Sequence, residues 1–208
     1  MSEKQYTIGE EIVNSISHTV GVLFSIYAIV MLAVKSTNPM EAATTSIFGA
    51  TMFILFQASA CYHAVTSEKA KRVFQKIDHS AIYVLIAGTY TPILMLTVPF
   101  PASVAIMAMI WYLAVLGIVF SCISLKSKHI SSGIYMIIGW MSMALVWYIW
   151  NNGGHMAVWY LLGGGLLYTL GVAFYLAKFK YSHSIWHLFV LCGVVLHYMA
   201  IMSLIKVI

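Results

Sequence analysis

The chain has 208 residues, of which 62% are apolar or aromatic and only 8% are charged. A soluble domain carries about 25% charged residues, so too few polar side chains are present to cover a soluble fold of this size. The three cysteines lie in apolar runs, and the net charge of +5 is not gathered into one basic face. These features exclude a secreted disulfide scaffold and a nucleic-acid-binding domain. We therefore interpret the chain as a polytopic membrane protein.

Seven apolar runs are long enough to cross the hydrocarbon core of a bilayer, which takes about 20 helical residues. They fall at about residues 12–34, 43–65, 79–98, 102–125, 131–150, 156–177 and 184–205. Together they use most of the chain and leave only short loops. The sequence thus predicts an all-α fold, a single seven-helix transmembrane bundle over residues 1–208.

The lysine and arginine residues indicate the orientation, because these residues are enriched in cytoplasmic loops. With the N-terminus in the cytoplasm, nine of the eleven fall inside and two outside. The inner set is Lys4, Lys69, Lys71, Arg72, Lys76, Lys126, Lys128, Lys178 and Lys180, and the outer set is Lys35 and Lys206. We expect a cytoplasmic N-terminus and an external C-terminus.

Ionisable side chains inside a membrane are costly to bury, which makes them candidates for functional sites. Here they form four clusters at helical spacings: Glu11, Asn14 and His18; Ser59 and His63; Asp78 and His79; His183 and His187. In the expected orientation all four clusters lie within about two turns, roughly 10 Å, of the cytoplasmic interface. We therefore expect the chemistry at this depth.

Two histidines at positions i and i+4 share one face of a helix and can bind one metal ion. His183 and His187 have this spacing, and His63 from another helix completes three nitrogen ligands. Catalytic zinc sites keep a fourth position for water. Asp78 would orient or deprotonate that water, and Ser59 would hydrogen-bond to the water or to Asp78. A purely structural network of interhelical hydrogen bonds is the alternative.

The remaining polar residues are expected to support this site. Glu11, Asn14 and His18 would brace the first helix against it, and His79 would have a structural or supporting role rather than bind the metal. Zinc suits the nitrogen ligands best, with iron and manganese as alternatives. We interpret His197, in the outer half of the last span, as a packing residue or as a group reached by a polar cavity.

These motifs resemble the signature of the hemolysin III proteins, the bacterial branch of the progestin and adipoQ receptor superfamily. The matching segments are Glu11-x-x-Asn14-x-x-x-His18, Ser59-x-x-x-His63, Asp78-His79 with residues 87–92, and His183-x-x-x-His187. The resemblance implies a seven-helix bundle and a zinc ion held by His63, His183 and His187 beside Ser59 and Asp78. It also implies a multi-pass protein of the bacterial inner (plasma) membrane.

Three functions remain open at this point. The first is a zinc-dependent hydrolase of lipid amide or ester bonds, since the superfamily includes alkaline ceramidases and a ceramide-like or other acyl lipid would be the substrate. The second is a hemolysin that permeabilises membranes, although the outer half of the bundle has few charged groups to line a pore. The third is a receptor-like sensor of membrane homeostasis with a structural metal. The oligomeric state is left open, and no nucleic-acid partner is expected.

Overall fold

The computed structural model describes residues 6–123 and 128–205, apart from the side chains of residues 128 and 129. Lys4, Lys126 and Lys206, which the topology prediction counts, lie outside these residues, as does the side chain of Lys128. The described residues form helices joined by short connections, and no strand occurs among them.

Eight helices follow one another in the described part of the chain. They are α1 (Ile8–Lys35), α2 (Pro39–Ala64), α3 (Glu68–Thr97), α4 (Ala102–Ile123), α5 (Lys128–Trp140), α6 (Met143–Asn151), α7 (His155–Leu176) and α8 (Ser182–Leu204). Seven stretches are long and apolar enough to cross a membrane, the fifth being formed by α5 and α6 together over Ile130–Asn151. The predicted all-α class with seven spans is confirmed.

The helices pack in chain order into a ring that closes where α8 meets α1, and α3 also contacts α8. In α2 and α3, 61% of the residues in the most apolar window are buried, against 22–39% in the other spans. These two helices therefore form the centre of the bundle. Large apolar side chains, such as Ile16, Leu23 and Trp147, are exposed on the outside, where they would face lipid in a bilayer.

The beginning of α1 is fixed by hydrogen bonds at its first turn. The hydroxyl of Thr7 accepts a hydrogen bond from the backbone N–H of Glu10, and the Glu10 carboxylate accepts from the backbone N–H of Thr7. This reciprocal arrangement is a capping box. The other carboxylate oxygen of Glu10 accepts from the backbone N–H of Tyr181, at a distance of 3.0 Å, immediately before α8. The first turns of α1 and α8 are thus held beside each other.

The fifth span differs from the single helix that its hydropathy predicts, because a turn at Met141 and Ser142 divides it. Carbonyl groups released by such a break must find other donors inside a bilayer. The Tyr90 hydroxyl from α3 donates to the carbonyl oxygens of Ile138 and Gly139, at 2.8 Å and 3.0 Å. The Ser142 hydroxyl also donates to the Gly139 carbonyl. The break is therefore stabilised by a side chain from another helix.

Candidate metal centre

Three buried histidines converge where the end of α2 meets the beginning of α8. His63 lies in the last turn of α2, and His183 and His187 lie in the first two turns of α8. One ring nitrogen from each lies within 4.8 Å of the other two. The structure therefore brings together the three histidines that the sequence predicts as ligands. They could form a metal site.

A carboxylate from α1 determines which nitrogen of His63 is free. The Nδ1 atom lies 2.6 Å from the Oε2 oxygen of Glu11 and 3.5 Å from the Nδ2 atom of Asn14. The shorter contact requires Nδ1–H to donate to Glu11, because an ionised carboxylate can only accept hydrogen bonds. The Nε2 atom then carries the lone pair, and it is buried without a hydrogen-bond partner among the described residues.

The backbone and a serine of α1 orient His187 in the same way. Its Nδ1 atom lies 2.9 Å from the Ser17 hydroxyl and 3.2 Å from the carbonyl oxygen of Asn14. Because the Ser17 hydroxyl itself donates to that carbonyl, Nδ1–H donates and Nε2 keeps its lone pair. That Nε2 atom is also buried and has no hydrogen-bond partner in the described part of the chain.

Asn14 connects both histidines to the first turn of α8. It is fully buried, its backbone accepts from His187, and its side-chain oxygen accepts from the Ser184 hydroxyl at 2.5 Å. Asn14 and Glu11 were predicted to brace α1 against the site, and both contact predicted metal ligands directly. Sequence reasoning missed Ser17 and Ser184. The only feature of the sequence that could have indicated them is their position, since Ser17 precedes His18 and Ser184 follows His183.

These residues fit a metal ion. A buried polar atom left without a partner costs about 1–3 kcal/mol, and two Nε2 lone pairs from different helices are left in this state here. Metal-binding histidines ordinarily donate their other ring N–H to a carboxylate or a carbonyl, as His63 and His187 do. A tetrahedral ion with metal–nitrogen distances near 2.0–2.1 Å holds its ligands about 3.4 Å apart. The observed spacing therefore needs only small side-chain adjustments.

Ser59, one turn before His63 in α2, and Asp78 of α3 form a second polar pair. Both are buried, and the Ser59 side chain is a neighbour of the Asp78 carboxyl group. The Ser59 hydroxyl nevertheless makes no hydrogen bond to the described residues. It can therefore turn towards the neighbouring Asp78 carboxyl group, a ligand or a water molecule.

His18 and His79, the other two residues predicted to support the site, have different environments. The ring of His18 stacks on that of His187, with centroids 3.6 Å apart and planes 17° apart, and its edge faces Phe56. It packs against a predicted ligand rather than joining the hydrogen bonds of Glu11 and Asn14. His79 is half-buried, its backbone carbonyl accepts from the Tyr135 hydroxyl, and it is not one of the three histidines that converge.

One side of the histidine cluster is covered by Tyr6, which precedes α1, and by an ion pair. The Tyr6 ring lies 5.0 Å from that of His183 and 5.9 Å from that of His63. Burial raises the pKa of the Tyr6 hydroxyl above its usual value, so the group stays a neutral phenol. The Lys71 ammonium pairs with the Glu11 oxygen that does not contact His63. Glu11 therefore joins α1 to both α2 and α3.

A cavity of about 160 Å³ extends through the bundle next to this cluster, although the three converging histidines are not among the described residues that line it. Asp78 and His18 lie in its wall, together with Trp186, whose ring contacts those of His183 and His187. Beyond them the wall is mostly apolar and follows α3 from Asp78 to Ile93. With a rise of 1.5 Å per residue, this part of α3 extends about 22 Å. The cavity is long enough to hold an extended apolar chain.

Comparison with known proteins identifies the family of this chain. The family described as "Haemolysin-III related" matches residues 6–198. The chain belongs to the hemolysin III family. It is 36% identical over 198 residues to "Hemolysin-3" of Bacillus cereus, covering 93% of this chain and 90% of that protein. It is 38% identical over 193 residues to the "Hemolysin-3 homolog" of Bacillus subtilis (strain 168), covering 90% and 91%. A human relative, "Monocyte to macrophage differentiation factor", is 30% identical over 203 residues, covering 94% and 84%.

Removing one imidazole of the converging set should abolish metal binding by this hemolysin III chain. We expect wild-type protein purified in detergent without chelators to carry about one transition-metal ion per chain. His187→Ala should carry almost none, because two nitrogen ligands do not replace three. Elemental analysis by mass spectrometry measures the content, and His79→Ala is the matched control that should keep the metal. Metal-free wild type, or equal loss from both variants, would contradict the assignment.

The hydrogen bond from His63 to Glu11 should strengthen metal binding from outside the ligand set. Glu11→Gln removes the charge that orients Nδ1–H, and such supporting carboxylates contribute about 10–100-fold to metal affinity. We expect a loss of this size in a competition titration with a chelator. Glu68→Gln, at the exposed first residue of α3, removes the same charge away from the site and should leave the affinity unchanged. Unchanged affinity in Glu11→Gln would show that the contact does not support the metal.

Proposed function

We propose that this protein is a zinc-dependent hydrolase of amide or ester bonds in membrane lipids. The buried Asp78 carboxyl group lines a long apolar cavity, and two further lining residues, His18 and Trp186, contact the buried histidines. This arrangement carries the proposal. It provides a metal centre, a group that can transfer a proton and room for an acyl chain in one place.

The donor set favours zinc. Three imidazole nitrogens with one further position are typical of catalytic zinc sites. Iron is also bound by imidazole, whereas manganese prefers oxygen ligands, so iron is the first alternative and manganese the second. When bound here, zinc supplies Lewis-acid polarisation of the lipid carbonyl and makes water nucleophilic near neutral pH.

The residues near the histidines transfer the proton and orient the reacting groups. An oxygen of the Asp78 carboxylate takes the proton of the attacking water and returns it to the leaving nitrogen or oxygen. The Ser59 hydroxyl, next to this carboxyl group, orients it or the water. Glu11, Ser17 and the backbone of Asn14 keep the ligand rings in place.

The substrate is an acyl lipid taken from the surrounding membrane. Apolar side chains of α3, α7 and α8, among them Ile82, Val172 and Val190, line the cavity. They suit a hydrocarbon chain and exclude water from it. A ceramide-like lipid or another acyl lipid would place its carbonyl beside Asp78 with the chain in the cavity.

The name of the Bacillus cereus relative refers to lysis, and lysis would here be a consequence of hydrolysis. A water-filled pore needs polar groups along its full depth, whereas the cavity wall beyond Asp78 is mostly apolar. Single-chain lipids released by hydrolysis would weaken a membrane without any pore in this protein.

Asp78→Asn should separate catalysis from metal binding. The amide keeps the shape of the carboxyl group but cannot accept the proton, so we expect hydrolysis to fall by about 10²–10⁴-fold. Metal content and thermal stability should stay near wild type. Release of fatty acid from a mixture of ceramides, other lipid amides and lipid esters in liposomes, followed by mass spectrometry, measures the activity.

Glu68→Gln is the control for this experiment, because it removes an acidic charge from the same helix away from the cavity. If metal-loaded wild type hydrolyses none of the lipids, the proposal is wrong. Loss of thermal stability on metal removal would then favour a sensor with a structural metal. Dye release from liposomes that is equal for wild type and Asp78→Asn would favour direct permeabilisation.

We also propose that the N-terminus is cytoplasmic, the C-terminus external and the membrane the bacterial inner (plasma) membrane. The charge distribution and the Bacillus relatives support this orientation and location. In cells expressing a chain whose native cysteines are serine, Asn152→Cys should react with a membrane-impermeant maleimide. Lys178→Cys, at an exposed position in the next connection, should react only after the membrane is permeabilised. The reverse labelling pattern would invert the topology.

A further inference from the structure

The far end of the cavity contains a histidine that the proposed hydrolysis does not use. His197 lines the cavity from α8, ten residues after His187. At 1.5 Å per residue, this places it about 15 Å along α8 from the histidine cluster. It lies among apolar residues in the half of the bundle away from the cluster.

Contacts with α7 fix the orientation of the His197 ring. Its Nε2 atom lies 3.4 Å from the carbonyl oxygen of Leu161, and Tyr168 packs edge-on with centroids 5.2 Å apart. Gly164 has no side chain, and a Cβ atom there would overlap the Cδ2–Nε2 edge of the ring. That edge therefore faces α7. The Nδ1 atom lies on the opposite edge.

The Nδ1 atom is an acceptor without a donor. Since Nε2–H is the group that meets the Leu161 carbonyl, Nδ1 carries the lone pair, and the described residues provide no hydrogen bond to it. Three hydroxyls of the cavity wall, those of Tyr90, Ser142 and Thr169, are engaged, since each donates to a backbone carbonyl. His197 is half-buried in the cavity wall, and an acceptor there that no described residue satisfies favours a ligand that brings its own donor.

We propose that His197 recognises a hydroxyl group carried in the middle of an acyl chain. This proposal rests on the proposed function, since it takes the cavity as the site of the acyl chain. The carbonyl end lies at the histidine cluster, the chain follows α8, and its hydroxyl donates to Nδ1 of His197. The preferred ligands are therefore hydroxylated acyl chains rather than plain ones.

The distance along α8 determines the position of the hydroxyl group. An extended chain with C–C bonds of about 1.5 Å advances about 1.25 Å per carbon, so about 12 carbons cover 15 Å. A hydroxyl on carbon 12 is then level with His197. A hydroxyl on carbon 3 stays near the cluster and does not reach it.

Binding of free fatty acids tests the proposal without relying on catalysis. Full-length, metal-loaded protein in detergent is titrated with octadecanoate, 12-hydroxyoctadecanoate and 3-hydroxyoctadecanoate. We expect wild type to bind the 12-hydroxy acid about 5-fold more tightly than octadecanoate, the effect of one hydrogen bond. The 3-hydroxy acid should show no such preference.

Variants assign the preference to His197. His197→Phe keeps a ring but removes the acceptor, so the ratio of the two affinities should fall about 5-fold relative to wild type. Because every protein is compared in the same detergent, different partition of the acids into micelles cancels. His197→Gln retains a carbonyl acceptor and should keep part of the preference. Tyr168→Phe removes the neighbouring hydroxyl and should keep all of it.

Each outcome decides between the explanations. Equal binding of the plain and 12-hydroxy acids by wild type, no binding of either, or a preference that persists in His197→Phe overturns the proposal. Loss of the preference in Tyr168→Phe alone assigns recognition to the tyrosine and also overturns it. If His197→Phe does not fold, the wild-type comparison of the hydroxyl positions still decides. A 12-hydroxy preference without lipid hydrolysis would reject the proposed function but keep the binding site, and hydrolysis without the preference would do the reverse.

Discussion

The hydrogen bond between the Glu11 carboxylate and Nδ1 of His63 is the contact on which the rest of the site depends. A neutral imidazole inside a bundle has one donor and one acceptor, and whichever is satisfied determines what the other can do. By holding Nδ1–H, Glu11 leaves Nε2 as the lone-pair atom facing the other histidines. Ser17 and the Asn14 carbonyl do the same for His187. The first helix thus contributes no ligand to the histidine cluster and yet determines its chemistry.

The apolar environment makes this orientation strict. Water could satisfy either ring nitrogen on a protein surface, but a buried nitrogen without a partner is costly. The same constraint explains the fifth span, where the Tyr90 hydroxyl donates to two carbonyls at the break between α5 and α6. In both places a polar group of one helix forms its hydrogen bond with a side chain of another helix. In each case a contact between helices does what water would do outside the membrane.

The sequence predicts the parts of this structure that depend on local periodicity. The seven spans follow from apolar runs of about 20 residues. The faces carrying Asn14 and His18, or His183 and His187, follow from the 3.6-residue repeat. Comparing how far each polar residue lies from the cytoplasmic interface then places His63 at the same depth as His183 and His187. This step needs no knowledge of the packing.

What the sequence could not predict depends on how far each helix is rotated about its own axis. That rotation places His18 in a stack with His187 and brings Ser17 and Ser184 into hydrogen bonds. The break in the fifth span likewise depends on Tyr90, 48 residues away from Ile138 along the chain, and no local pattern marks it. The residues that line the cavity come from α1, α2, α3, α5, α6, α7 and α8, so no single segment encodes it.

The positions of the three histidines along the chain have a consequence for biogenesis. One is supplied by the second helix to be synthesised and two by the last, since α8 follows all the other spans. A growing chain enters the membrane from its N-terminus, so until α8 arrives only one of the three histidines is present and Asn14 lacks its partners in α8. The centre cannot be assembled on a truncated or stalled chain. A metal ion that needs all three histidines would therefore be taken up last, and its presence would report that α8 has packed against α1.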